Sequence, residues 1–327
     1  MPMKVMMIVM DEQRVILDWL YESIGQSFDS FSIFRLSSDE QKNLGAFFQK
    51  NNPLKYDRIV IFSRLKRLAS QHRLLRIIPG VVFFEHDACQ NYMVESPNYG
   101  AYTRFYRLIP GCRVISSGLQ VTEKLREDGV DAEFVSKGFD DKFIENRHGV
   151  RDISAAFIGS VKHGAYRKRS EMLAEIAHHT PLRIERTESG EAYVAMLNRI
   201  NVFVSADSGM KEYMIKNFEA LAAGCILLTE DQGKSENEAL GFCDMENVML
   251  YRTASEAVEK IAIIERDPDL GKRIAKAGEA LAWGRFGFST IGPKIAEAIS
   301  KPLPRRNGLS IVDRAYARLF HPWLLAS

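Results

Sequence analysis

The order of hydrophobic runs in this chain predicts an α/β protein made of two successive doubly wound, Rossmann-like domains. Three observations carry that prediction. Short apolar runs alternate with helix-period segments from end to end, the pattern of βαβ units around a parallel sheet. A polar stretch from Asn146 to Asp152 interrupts the series near its middle. The chain of 327 residues is long for one domain and comfortable for two. The expected domains are 1–145 and 146–300, with a separate tail at 301–327.

In order, strands are expected at Lys4–Met10, Phe31–Leu36, Arg58–Phe62, Val81–Glu85, Arg113–Ser116 and Ala132–Val135. Helical periodicity falls between them at Asp11–Ser23, Asp39–Lys50, Arg64–Arg76, Tyr99–Leu108 and Leu119–Asp128. The first strand runs into Asp11-Glu12-Gln13-Arg14 and no G-x-G-x-x-G turn follows it, which weakens a dinucleotide oxidoreductase. The second series has strands at Ile153–Ile158, Leu182–Glu185, Asn201–Ser205, Cys225–Leu228 and Val248–Tyr251. Its helices are Tyr166–His178, Glu191–Arg199, Ala254–Glu265, Pro268–Ala282, Ile291–Ser300 and one ending at Ala223. After Lys301–Arg306, Leu309–Phe320 is an amphipathic helix. Ile311, Val312, Ala315, Leu319 and Phe320 favour one side, Arg314 and Arg318 the other, and Trp323 and Leu324 lie beyond.

Composition narrows the function. Net charge is +2, from 44 basic and 42 acidic residues, so bulk electrostatics call for no nucleic acid. The four cysteines show neither a C-x-x-C pair nor zinc spacing and read as reduced thiols of a cytoplasmic protein. No run approaches the ~20 apolar residues of a spanning helix. The only Asp-x-Asp, Asp267-Pro268-Asp269, reads as a helix N-cap followed by proline at N1, so no metal is expected.

The most informative stretch is Asn217-Phe218-Glu219-Ala220-Leu221-Ala222-Ala223-Gly224-Cys225-Ile226-Leu227-Leu228-Thr229-Glu230. It reads as a helix, a glycine stop and a strand apolar on both faces. Glu219 then flanks an apolar helix face at the edge where open α/β sheets bind ligands. It also fits a solvated surface acid, in a ladder with Glu212 and Lys216.

This string resembles the nucleotide-sugar-binding segment of the retaining, group-1 (family 4-like) glycosyltransferases of GT-B architecture. In that architecture two Rossmann-like domains face a cleft. The segment Val114–Phe143 is similar to the junction of those enzymes: a strand ending in Ser, a helix, a Gly, a strand and a Gly-x-Asp turn. The resemblance implies that Glu219 binds the ribose of the donor nucleotide. Lys211 stands where the family often has a second Glu near the donor sugar, with Glu212 beside it. That departure keeps a second reading open, a non-catalytic sugar-nucleotide-binding or scaffold protein of the same fold.

Gly159 and Ser160, followed by Lys162, Lys168 and Arg169, form a strand–Gly-turn–cation cluster suited to a diphosphate. Cations at a helix start are otherwise mildly unfavourable, though a solvated basic face would also explain them. Ser208 opens the segment before Glu219 as an N-cap or a phosphate contact. His86 and Asp87, after the Val81–Glu85 strand, are the candidates to face the reacting centre, as base or as orienting groups. A lone structural histidine is the plainer reading of His86. Taken together, a glycosyltransferase is expected, moving a hexose from a nucleotide-diphosphate sugar to a glycan or lipid-linked acceptor of cell-surface polysaccharide assembly, with no cofactor. Residues 309–325 either pack on the first domain or hold the protein peripherally at the inner membrane face.

Overall fold

The structure, a computed structural model, describes residues 3–12, 17–161, 167–207, 211–306 and 308–324. It divides into two compact units. The first comprises Met1–Ser117, Val121–Val135 and Gly292–Ser327; the second comprises Gly118–Gln120 and Ser136–Ile291.

The first unit holds six parallel strands: β1 (Lys4–Met10), β2 (Ser30–Leu36), β3 (Arg58–Phe62), β4 (Val81–Glu85), β5 (Arg113–Ser116) and β6 (Ala132–Phe134). Their order is β2-β1-β3-β4-β5-β6. Val5 to Val9 and Val81 to Phe84 are buried without alternation, as strands covered on both faces must be. Two expected helices are broken. Asp39–Lys50 divides into Ser38–Gln41 and Leu44–Lys50, because Ser37 and Glu40 form a capping box and Asn43 caps the second piece. Arg64–Arg76 divides around a 3₁₀ turn at Ala69–Gln71.

The end of the chain completes this unit. The guanidinium of Arg113 donates to the carbonyls of Ala298, Lys301 and Pro302, and Arg58 Nε donates to that of Ile299. The tail helix, Ile311–Phe320, starts at a Ser310–Asp313 capping box. It docks through buried Ala317 and through Asp313, which meets Arg76 at 3.1 Å. Ile311, Val312, Leu319 and Phe320 point away from that contact and remain 65–87% exposed. The tail is therefore packed on the first unit, with its apolar stripe outward.

The second unit holds β7 (Ile153–Ile158), β8 (Arg183–Glu185), β9 (Ile200–Ser205), β10 (Ile226–Glu230) and β11 (Met249–Tyr251), all parallel, in the order β11-β10-β9-β7-β8. From β7 the chain goes outward to β8, then returns to β9 on the other side. The switch point is therefore between β7 and β9, and ligands of open α/β sheets bind beyond the carboxyl ends of the strands at such a point.

Two devices fix the helices beside that point. The Ile215–Ala222 helix ends in a Schellman motif: Cys225 N–H reaches Ala220 O and Gly224 N–H reaches Leu221 O, both at 2.9 Å, with Gly224 at φ 77°. The guanidinium of Arg151 donates to Leu197 O at 3.1 Å and Ile200 O at 2.6 Å, and also to Ala223 O. It thus gathers the carbonyl ends of the Glu191–Leu197 and Ile215–Ala222 helices. None of the four cysteines forms a disulfide; Cys89, Cys112 and Cys225 are buried and Cys243 is exposed. Asp267 caps the Pro268–Arg285 helix by accepting from Leu270 N–H at 2.9 Å.

Gly224→Ala should destabilise the chain by more than about 1 kcal/mol. A Cβ there must sit at positive φ and collide with the Asn146 amide. Urea unfolding checks this; a variant with an unchanged midpoint would show that the stop does not need glycine.

Candidate active site

Four segments meet the carboxyl edge of the second sheet at its switch point: the turns after β7 and β9, and the starts of the Arg167–His179 and Ile215–Ala222 helices. Gly159 opens the first turn, and a Cβ on it would press into the Phe157 ring at 2.6 Å. The glycine is thus required by the core beneath. Ser160 follows, half-buried, and its carbonyl accepts from Arg169 Nη1 at 3.4 Å. Arg169 is buried; its Nε donates to Ala206 O at 3.0 Å, and its guanidinium lies over Phe157. It ties the turn after β7 to the turn after β9. Lys168 is half-exposed and paired with Glu230 at 2.7 Å and Asp207 at 3.4 Å. Its charge is therefore already countered by two carboxylates. Lys162 and Ser208 lie outside the described residues.

The helix carrying Glu219 starts later than its periodicity suggests. Lys211 has a left-handed φ of 52°, Met214 is an extended N-cap, and helical geometry begins only at Ile215. Glu212 is consequently off the helix and buried, paired with Lys137 at 2.9 Å. The surface ladder Glu212–Lys216–Glu219 does not form. Lys211 is exposed, and its N–H meets Asp207 Oδ2 at 3.4 Å.

Glu219 is half-buried, and its Oε2 accepts from Tyr193 OH at 2.6 Å. Burial raises its pKa, while Lys216 and the Tyr193 hydrogen bond act in the opposite direction. Lys216 Nζ stands 4.4 Å from the Tyr193 ring centroid. Among the described residues, no carboxylate lies within ion-pair distance of Lys216 and no hydrogen bond reaches Glu219 Oε1. Among the described residues the site thus offers one carboxylate oxygen without a hydrogen bond and one ammonium outside ion-pair distance of any carboxylate. A nucleotide, with hydroxyls to donate and phosphates to accept, has the matching chemistry. Nothing in the sequence pointed to Tyr193, which stands three residues into a short helix.

His86 and Asp87 sit in the first unit, directly after β4. The His86 ring packs edge-on against Phe62 and Phe84, and Asp87 is exposed. Beneath them is a group that strand reading alone left unassigned. Glu85 is buried; its Oε1 accepts from Asp87 N–H at 2.8 Å and its Oε2 from Tyr106 OH at 3.2 Å. Burial, then the neighbouring Asp87, pushes its pKa up to about 8.

Residues 142–289 match the family model described as glycosyl transferase-like. The match lies within the second unit, and the chain as a whole has the GT-B fold. The fold likeness spans nearly all of it. Alr3699/HepE of Anabaena, solved with UDP-glucose, superposes with a TM-score of 0.70 at 14% identity, over 91% of this chain and 99% of that one. A glycosyltransferase of Rickettsia africae gives 0.60 at 11% identity, with 91% and 99% covered. T4 phage BGT, solved with its UDP-glucose substrate, gives 0.60 at 12%, with 93% and 100% covered. No curated protein matches this chain in sequence.

The Glu85 carboxyl supplies a test through pH. Between the unfolded value near 4.5 and the folded value of about 8, the folded chain holds a proton that the unfolded chain has lost. Stability from this group is therefore full below about 4.5 and is lost as pH rises through about 8. Glu85→Gln, neutral at every pH, should gain on wild type progressively from about pH 5 to about pH 8, by up to roughly 5 kcal/mol, in urea unfolding. Parallel profiles for the two proteins would show that the carboxyl ionises normally.

Proposed function

We propose that this chain is a glycosyltransferase that moves a sugar from a nucleotide-diphosphate donor, with UDP as the nucleotide, to a glycan or lipid-linked acceptor. The observation that carries the reading is Glu219, held by Tyr193 beside the switch point with one oxygen lacking a hydrogen bond among the described residues, in a fold whose solved neighbours hold UDP and UDP-glucose. Glu219 takes the ribose. The diphosphate goes to the edge where Gly159, Ser160, Lys168, Arg169 and Lys211 gather, its negative charge growing as the glycosidic bond breaks. Opposite charge fixed in advance lowers that barrier. His86 and Asp87 serve the acceptor hydroxyl or the transferred sugar. The proposal includes no resident metal, so activity should survive chelation.

Turnover with UDP-sugars tests this directly. Glu219→Ala should weaken UDP binding by about 1.5–3 kcal/mol, the range for a hydrogen bond to a charged group. Asp87→Asn and His86→Ala should lower kcat with donor affinity nearly unchanged. Wild-type calorimetric affinity in Glu219→Ala would remove the ribose assignment, and wild-type turnover in both others would remove them from the chemistry.

The acceptor class and a place at the inner membrane face in polysaccharide assembly rest on the tail. Among the described residues no helix is long and apolar enough to cross a membrane. The outward stripe of Ile311, Val312, Leu319 and Phe320, flanked by Arg314 and Arg318, suits the surface of an anionic bilayer instead. Its docked face is separate, which sharpens the test. Val312→Glu with Leu319→Glu should leave the melting temperature unchanged and abolish co-sedimentation with phosphatidylserine-containing vesicles. Full-length protein that never sediments with such vesicles would show the tail to be structural only.

A further inference from the structure

Glu219 reaches across from its own helix to a residue on another. Tyr193 lies on the Glu191–Leu197 helix, is 8% exposed, and puts its hydroxyl 2.6 Å from Glu219 Oε2. The same ring offers its face to Lys216 Nζ at 4.4 Å, one helical turn before Glu219. A half-buried glutamate has three side-chain torsions, and ordering it on ligand binding costs entropy. Here the cost is met in the free protein, because a buried phenol with two torsions fixes one carboxylate oxygen and leaves the other without a hydrogen bond among the described residues. The ammonium over the ring adds a cation–π contact and keeps positive charge near the carboxylate.

Resting on the assignment of Glu219 to ribose, we propose that Tyr193 is the positioning residue of that contact. By holding Oε2 it presents Oε1 to the ribose hydroxyls, and so sets the preference for a ribonucleotide over a deoxyribonucleotide. Tyr193 does not touch the nucleotide in this account; it acts through Glu219. Phenol and carboxylate are both buried enough for their hydrogen bond to resist competition from water, which a surface pair would not do. Lys216 belongs to the same assembly, since its ammonium rests on the ring that supports the phenol.

Tyr193→Phe removes the hydroxyl and keeps the ring beneath Lys216, so the variant retains its packing. Affinities for UDP and 2′-deoxy-UDP, measured by calorimetry on the full chain, read the effect. Wild type should prefer UDP, and Tyr193→Phe should lose about fivefold to tenfold in UDP affinity with little change for 2′-deoxy-UDP. In a Glu219→Gln background the same substitution should change neither affinity, since the group it positions has been altered. Equal losses for both nucleotides in Tyr193→Phe would mean a scaffold role only and overturn the proposal, as would unchanged affinities. Failure of the underlying ribose assignment is separately visible: Glu219→Gln alone would then keep the wild-type preference for UDP.

Discussion

The guanidinium of Arg151 stands where two helices end. Helix termini leave carbonyls without intrahelical partners, and the dipole makes that end negative, so a fixed cation satisfies both demands. Arg151 does this for the Glu191–Leu197 and Ile215–Ala222 helices at once, through Leu197 O and Ala223 O, and adds Ile200 O at the start of β9. Those two helices carry Tyr193 and Glu219. One planar, permanently charged group therefore sets the spacing on which the 2.6 Å hydroxyl–carboxylate contact depends. The Schellman stop at Gly224 works in the same sense, because it turns the second helix straight into β10.

Charge around the switch point is arranged less simply than a basic cluster. Lys168 faces Glu230 and Asp207, and Arg169 spends its donors on the carbonyls of Ser160 and Ala206. A cation bonded to carbonyls keeps its full charge, whereas one between carboxylates has much of its field cancelled. Lys216 has no carboxylate within ion-pair distance among the described residues, and burial together with Glu219, Arg169 and Arg186 governs its proton affinity. An anion arriving at this edge would meet Arg169, held by the carbonyls of Ser160 and Ala206, and Lys216, which has no ion-pair partner among the described residues. It would have to draw Lys168 away from its acids.

The elements were legible in the sequence where hydrophobic runs were unbroken. β1, β3, β4, β5 and β7 have the bounds that their apolar runs indicate, because a strand buried on both faces needs no other signal. The helix before Gly224 was legible at its end and not at its beginning. A glycine stop is written in residue type, but the left-handed turn at Lys211 is a conformation that lysine seldom adopts and no pattern announces. The candidate site was singled out residue by residue: Glu219 by its place before Ala-Ala-Gly, Arg169 by its charge. Their partners were not. Tyr193 and Glu219 are 26 positions apart on different helices, and Glu85 and Tyr106 are 21 apart. Which side chains meet across elements is decided by packing, which periodicity does not encode.

The first unit is assembled from both ends of the chain, and this has a consequence for its biogenesis. Arg58 and Arg113 find their carbonyl partners at Ala298 to Pro302, and Arg306 caps its own set at Ile78. A nascent chain that has just delivered β6 from the ribosome carries a finished six-stranded sheet whose two arginines still lack those acceptors. The second unit, by contrast, is almost continuous in sequence and can close as soon as its own residues emerge. Vectorial synthesis thus inverts the order expected from the N-terminus: the domain begun first is the one completed last.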